Sequence, residues 1–547
     1  MNKNKLLLLG SSLGVLVLFA TAAVQENFLR GWRRVQAAGR TDAGAIPVQL
    51  RQVVNQSLRT ADRCTTCHVT MGPGEEAVTG GPLFKKHPPV THDPAVYGCT
   101  VCHGGQGAAT DKEDAHGDVH FWPEPMIPVK MSEAGCGTCH AAPGIPARAE
   151  LRAAQAVFER LDCRACHRVD GRGGTIRPDG GGMEGPDLTG IAVKGWDAAW
   201  HDKHVAKAAQ SASGPWKTSF APVSADDQAT VTRFLHTRYG ASRLTEAKST
   251  FFSYGCLGCH RVSGVGGDEG PDLTRAGQKD PGQVDFTHVP EGHGLNNWVA
   301  EHFRAPGAVV AGSKMPPASA PEADIEQLTL FVLSLRRREL PGAYMPKDRI
   351  EVARMGRREF AADGATIYGA FCSGCHGLDG LGRVTGDEVF PSIAHPEFQK
   401  LATDKFLTET IAKGRPGRRM PGWNKEGGLR PEEIAAVVAH LRTMAGVPAR
   451  TQEDTWMAAA EPMTGDPLYA ASCAGCHGHK GQGGKGPALA NRALLDAASD
   501  GFLRDTITKG RPGSVMPAFG EPSTIHRTLT PSDVESIVAY LRSWQGR

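Results

Sequence analysis

All 14 cysteines of this 547-residue chain fall in seven copies of one pattern, Cys-x-x-Cys-His. The pairs are Cys64 and Cys67, Cys99 and Cys102, Cys136 and Cys139, Cys163 and Cys166, Cys256 and Cys259, Cys372 and Cys375, and Cys473 and Cys476. Two thiols three positions apart can each form a thioether to one vinyl group of the same porphyrin, and the next residue then lies beneath the iron. His68, His103, His140, His167, His260, His376 and His477 are therefore the expected proximal ligands, and seven covalently bound haem c groups the expected cofactors. Zinc ribbons use Cys pairs in twos with no fixed histidine after them, and thioredoxin-like redox pairs occur singly beside a βαβ pattern. Neither reading leaves no cysteine over after seven copies.

Covalent attachment of haem takes place outside the cytoplasm, so the chain needs an export signal. After a short polar and basic start, Leu6 to Val24 is an uncharged run of 19 residues, about 28 Å long as a helix and enough to cross a bilayer. Ala20, Ala22 and Ala23 near its end fit a cleaved signal peptide; the length favours a retained anchor. Basic residues flank both ends, so orientation rests on the haem chemistry, which puts the chain on the periplasmic side of a bacterial inner membrane. The formal charge is +3, and ionised haem propionates take the loaded chain to about −4 oxidised and about −11 reduced. That balance argues against a nucleic-acid partner. The basic runs Arg415 to Arg419 and Arg336 to Arg338 read first as solvated charge.

The spacing of the motifs divides the chain. Residues 1–25 form the anchor, and 26–149 form a region of three closely spaced motifs amid Gly, Pro and His, with little apolar periodicity. Such a segment takes its core from its cofactors. From Glu150 four units follow, at 150–242, 243–341, 342–450 and 451–547, joined by proline-containing links near Leu340 to Pro346 and Pro448 to Pro462. Each has a helix before its motif, a Gly-rich or Gly-Pro loop after it, and a closing amphipathic helix. The last two are plain repeats sharing Lys-Gly-Arg-Pro-Gly, which ends a helix at its glycine and turns the following methionine inward. Asp466 and Pro467 are expected to start the helix that carries Cys473. Ile434, Val437, Val438 and Leu441, like Val534, Ile537, Val538 and Leu541, mark buried helix faces. The fold class expected is mainly α with much irregular structure.

These four units resemble the small class I cytochrome c fold, in which the helix bearing the haem motif crosses a C-terminal helix and a loop methionine caps the iron. Met315 in GSKMPP, Met420 in RRMPGW and Met516 in SVMPAF stand at suitable distances after their motifs to fill that role. The fourth unit departs from the pattern. Aligned with the fifth through GPDL and through Trp200 and His204 against Trp298 and His302, it has Thr218 where the fifth has Met315. Its iron is left with Lys217, His201, His204 or Met183, or with no sixth ligand. His204 is weakened by its counterpart, because His302 belongs to a unit that already has its methionine. In the trihaem region His87, His92, His116 and His120, with Met71, Met126 and Met131 nearby, supply the distal sites. His87 and His116 are the first choices, because both lie in short loops flanked by Pro or Gly.

The N-terminal part, an anchor followed by GWRRVQ, DRCTTCH, HPP, YGCTVCHGGQG, AHG and CGTCH, resembles the multihaem c-type subunits of bacterial quinol-oxidising cytochrome b and Rieske complexes. The resemblance implies an electron carrier fed by such a complex, with a soluble cytochrome or a terminal oxidase or reductase as acceptor. Histidine-ligated haems at the N-terminus and methionine-ligated ones at the C-terminus make the potential rise along the chain. Two other functions remain open: a reductase or peroxidase with an open iron at the fourth haem, and the cytochrome subunit of a periplasmic dehydrogenase, which would lack the trihaem segment.

Overall fold

The computed structural model describes residues 3–72, 74, 77–88, 90–174, 185–194, 199–200, 203–204, 223–290, 292–385, 388–415 and 419–545. Met183, His201, Lys217 and Thr218 lie outside the described residues, as does the middle of the run Arg415 to Arg419. Among the described residues the chain is mainly helical, and each sheet has two strands. It divides into two units: Met1–His140 with Arg275–Glu301 and Val332–Pro346, and Ala141–Thr274 with His302–Phe331 and Lys347–Arg547.

In the first unit the apolar run is a continuous helix, Lys3–Val24, every residue of it exposed. Among the described residues no other helix is long and apolar enough to cross a membrane. The helix passes through a wide turn, Gln25–Leu29, breaks at the extended Arg30 and resumes as Gly31–Ala38. There Gln36, fully buried, donates to the carbonyls of Gln49 (2.9 Å) and Thr66 (2.7 Å) and accepts from the Gln49 amide (2.8 Å). Thr66 sits between the two cysteines of the first motif, so one satisfied amide ties the helix to that turn.

The rest of its N-terminal segment, up to His140, is short helical turns and hairpins. Its apolar clusters are small, such as Ile46, Val69 and Val78, too small a core for a segment of this length to stand on alone.

In the second unit helices pair across each attachment turn. Arg148–Arg160 packs on Ala225–Leu235, with Phe158 and Phe234 4.9 Å apart, and Phe251 of the helix Ser242–Phe251 lies 4.5 Å from Phe331. The two C-terminal repeats cross at glycines. A Cβ on Gly364 would stand 2.1 Å from the Ala436 carbonyl, and one on Gly465 2.0 Å from that of Ser536. Only a residue without a side chain lets the backbones approach so closely. The stripes Ile434 to Leu441 and Val534 to Leu541 are buried against these crossings.

One boundary differs from the sequence expectation. The helix carrying Cys473 begins at Pro462, with Glu461 in the N-cap position, and Pro467 lies inside it. Pro462 already supplies the favoured first-turn proline. Burial of Gly465 and Tyr469 extends the helix through Pro467 despite its missing donor.

Candidate haem centres

In the four C-terminal attachment sites the proximal imidazole is oriented in one way. The Nδ1 of His167 donates to the Pro186 carbonyl (2.9 Å), His260 to Pro271 (3.0 Å), His376 to Pro391 (3.0 Å) and His477 to Pro487 (2.8 Å). A carbonyl can only accept, so the proton sits on Nδ1 and Nε2 keeps the lone pair that a metal needs. In three of the sites a glycine backs the ring: a Cβ on Gly185, Gly270 or Gly486 would fall 2.4, 2.4 or 2.7 Å from the imidazoles of His167, His260 and His477. The sixth motif has Phe390 before its proline and keeps the carbonyl alone.

This cradle predicts that Gly270→Ala displaces the His260 ring. Overpacking of this kind costs about 1–3 kcal/mol. It should appear as an altered low-spin signal of one haem together with a lower melting temperature; an unchanged signal would mean that the glycine does not set the ring.

The three N-terminal motifs are held as a ladder. Asp62, buried two residues before Cys64, accepts from the amides of Cys99 (2.6 Å) and Thr100 (3.0 Å) and from the Thr100 hydroxyl (2.6 Å). The thiols of Cys64 and Cys99 lie within hydrogen-bonding reach of each other. At the next rung a Cβ on Gly135 would collide with the Cys102 carbonyl at 1.8 Å. Asp62 carries no motif of its own, and nothing in the sequence marks it out.

Histidines face histidines across this ladder. The rings of His87 and His103 are 6.1 Å apart at 69°, and those of His92 and His140 are 5.9 Å apart at 57°. Burial lowers the basicity of His68, and neighbouring His116 lowers it further. Burial followed by the paired histidine does the same for His92 and, with a further push from His68, for His103. The neutral form is the one that binds a metal. His87 donates from Nδ1 to the Pro88 carbonyl (2.7 Å), which again leaves Nε2 as the acceptor. So His87 and His116 each stand by one proximal histidine, and the third partner is His92. His120 lies beside the exposed Phe121, 6.1 Å between rings, and Met131 is buried core.

Met315, Met420 and Met516 are each half-buried in their loops. In the two repeats the loop closes on itself: Arg415 N donates to the Met420 carbonyl (2.8 Å), and Arg511 N to that of Met516 (3.1 Å). Gly414 and Gly510 turn the chain at φ +69° and +70°.

The same arginines carry a second signal. Arg511 is driven down to about 10 by burial and by the nearby charge of Arg415, itself lowered to about 10 by burial. Among the described residues no acceptor meets the Arg511 Nε. Two half-buried like charges favour an anion near them, a role that haem propionates would fill.

Attachment turns of the fifth and sixth motifs also meet. The thiols of Cys259 and Cys375 lie within hydrogen-bonding reach, and a Cβ on Gly255 would fall 2.2 Å from the Gly374 amide. The loop of Arg511 reaches the sixth site, donating to the Ser392 carbonyl (3.2 Å) beside Pro391.

Comparison with known proteins agrees with this chemistry. The family described as Cytochrome c matches residues 151–238 and 245–336, and that described as Cytochrome C oxidase, cbb3-type, subunit III matches 359–441 and 460–541. These cytochrome c domains, with the motifs before them, make the chain a multihaem c-type cytochrome.

Among curated proteins it is 30% identical over 195 residues to the cbb3-type cytochrome c oxidase subunit FixP of Bradyrhizobium diazoefficiens. That match covers 34% of this chain and 61% of the relative. The CcoP subunit of Azospirillum sp. (strain B510) is 27% identical over 203 residues, covering 34% of this chain and 62% of the relative. The matches thus span less than two thirds of these relatives. A chain of the Kuenenia stuttgartiensis reducing HAO-like protein complex overlaps 33% of this chain and 94% of its own length at 19% identity, with a TM-score of 0.23, too slight a likeness to bear on the fold.

Proposed function

We propose that this chain is a membrane-anchored periplasmic heptahaem cytochrome. It carries electrons from a quinol-oxidising complex of the cytochrome b and Rieske type to a downstream acceptor. Its parts are the anchor, the trihaem region 26–149 and cytochrome units at 150–242, 243–341, 342–450 and 451–547. Each bound haem supplies one reversible electron. His68 with His116, His103 with His87 and His140 with His92 would hold the first three irons, and Met315, Met420 and Met516 would join His260, His376 and His477 at the last three.

The observation that carries the reading is the contact between successive attachment turns: Asp62, two residues before Cys64, bonded to the Cys99 amide at 2.6 Å, Gly135 against the Cys102 carbonyl, and Gly255 against the Gly374 amide. A catalytic site requires one open iron, whereas a conductor requires irons placed side by side. The anchor and the N-terminal resemblance favour a membrane quinol complex as donor. The likeness of the C-terminal third to cbb3 oxidase subunits favours a high-potential acceptor such as a terminal oxidase or a soluble cytochrome.

Potentiometric titration of the detergent-purified chain, followed in the haem absorption bands, tests this. Two separated groups of midpoints are expected, the lower from histidine-ligated and the upper from methionine-ligated haems. A single group would overturn the graded conductor, and failure of a cytochrome b subunit to copurify would overturn the assigned donor.

A further inference from the structure

We propose that His204 is the sixth ligand of the haem attached at Cys163 and Cys166, so that this iron is held between two imidazoles. The proposal rests on the haem-attachment reading and goes beyond it at the one cytochrome c unit that has Thr218 where the fifth has Met315. The rings of His167 and His204 stand 6.2 Å apart at 71°. Two imidazoles that each bond one metal at about 2 Å place their centroids about 6 Å apart, whereas a direct hydrogen bond between the rings would bring them to about 5 Å. The spacing at His167 and His204 matches the pairs His87 with His103 at 6.1 Å and His92 with His140 at 5.9 Å.

The ring orientations agree. His167 spends its Nδ1 proton on the Pro186 carbonyl at 2.9 Å, and Gly185 lies against the ring, so Nε2 is the nitrogen left for a metal. On the other side Trp200, four residues before His204, stacks on it with centroids 5.0 Å apart and planes within 4°. A flat indole against one face fixes the imidazole without occupying either nitrogen, as a positioning residue does for a ligand.

The consequence is chemical. An iron with two imidazoles has no free position for peroxide, nitrite or nitric oxide, so the fourth haem exchanges electrons only. It joins the three N-terminal haems as a low-potential centre. The change of ligand type then falls between the fourth and fifth haems rather than between the third and fourth.

The test uses the full-length holoprotein, with haem occupancy read from intact mass. Wild type is expected to show no high-spin ferric electron paramagnetic resonance signal and no binding of nitric oxide. His204→Gly should convert one haem in seven to a high-spin form that binds nitric oxide and returns to low spin with added imidazole. His204→Met should instead keep all haems low-spin and raise the near-infrared methionine-to-iron charge-transfer band by about a third. His201→Ala should change neither spectrum.

A high-spin haem already present in wild type overturns the assignment. So do His204→Gly and His204→Met spectra identical to wild type at full haem occupancy. If His204→Gly does not accumulate, the His204→Met band decides alone. Fewer than seven haems in wild type would instead count against the heptahaem reading, a failure visible in the mass and independent of His204.

Discussion

Replacing Met516 with histidine is expected to lower the midpoint potential of the last haem by on the order of a few tenths of a volt, within the range that axial ligands span. A thioether favours ferrous iron, and a second imidazole favours ferric. The loop itself is insensitive to the exchange. The Met516 carbonyl accepts from Arg511 N at 3.1 Å, its amide donates to the Ser514 hydroxyl at 3.2 Å, and Gly510 makes the turn. None of these involves the thioether, so the ligand changes while its support stays. Spectroelectrochemical titration of the Met516→His protein should show one midpoint leaving the upper group for the lower. Electron delivery to a high-potential soluble cytochrome should slow with it, because the exit haem now holds its electron less readily than those before it. Titration curves that overlay wild type would exclude Met516 as a ligand.

A second large effect belongs to stability. Arg442, buried on the helix Pro431–Ala445, donates to the carbonyls of Gln399 and Ala402 and to the Asp404 carboxylate at 2.6 and 2.9 Å. In the last repeat Arg542 holds Leu495, Ala498 and Asp500 in the same way. One guanidinium thus gathers the end of one helix and the start of the next, using the planar fork that lysine lacks. Arg442→Met leaves two carbonyls and a carboxylate without their donor and should cost about 3 kcal/mol, the lower end of the range for breaking a buried pair, because Asp404 keeps partial access to water. Amide hydrogen exchange resolves this within a chain of several cooperative parts. Protection should fall in residues 396–445 and persist in the first two cytochrome units. Arg442→Lys should recover only part of it, and protection equal to wild type in both variants would refute the role.

The sequence carried the haem chemistry in full view, because covalent attachment needs contiguous residues. Helix faces such as Ile434 to Leu441 were equally readable, since burial imprints a period on the chain. What escaped was everything built from residues far apart or from the backbone. Pro186, Pro271, Pro391 and Pro487 act through carbonyls, which have no letter. His92 rather than His120 meets His140, and spacing alone could not rank the two. Arg442 and Arg542 have no motif that sets them apart in the sequence, although the first is buried and the second half-buried among the carbonyls they hold. In the sequence His204 stands as one candidate among several, weakened by its counterpart His302, and only the facing of its ring to His167 sets it apart.

The close approach of Gly255 to Gly374 limits how this part of the chain can drift in evolution. A Cβ on Gly255 would fall 2.2 Å from the Gly374 amide and one on Gly374 2.7 Å from the Gly255 carbonyl, so any other residue at either position would prise the two attachment turns apart. The two turns therefore cannot diverge independently of each other at these positions.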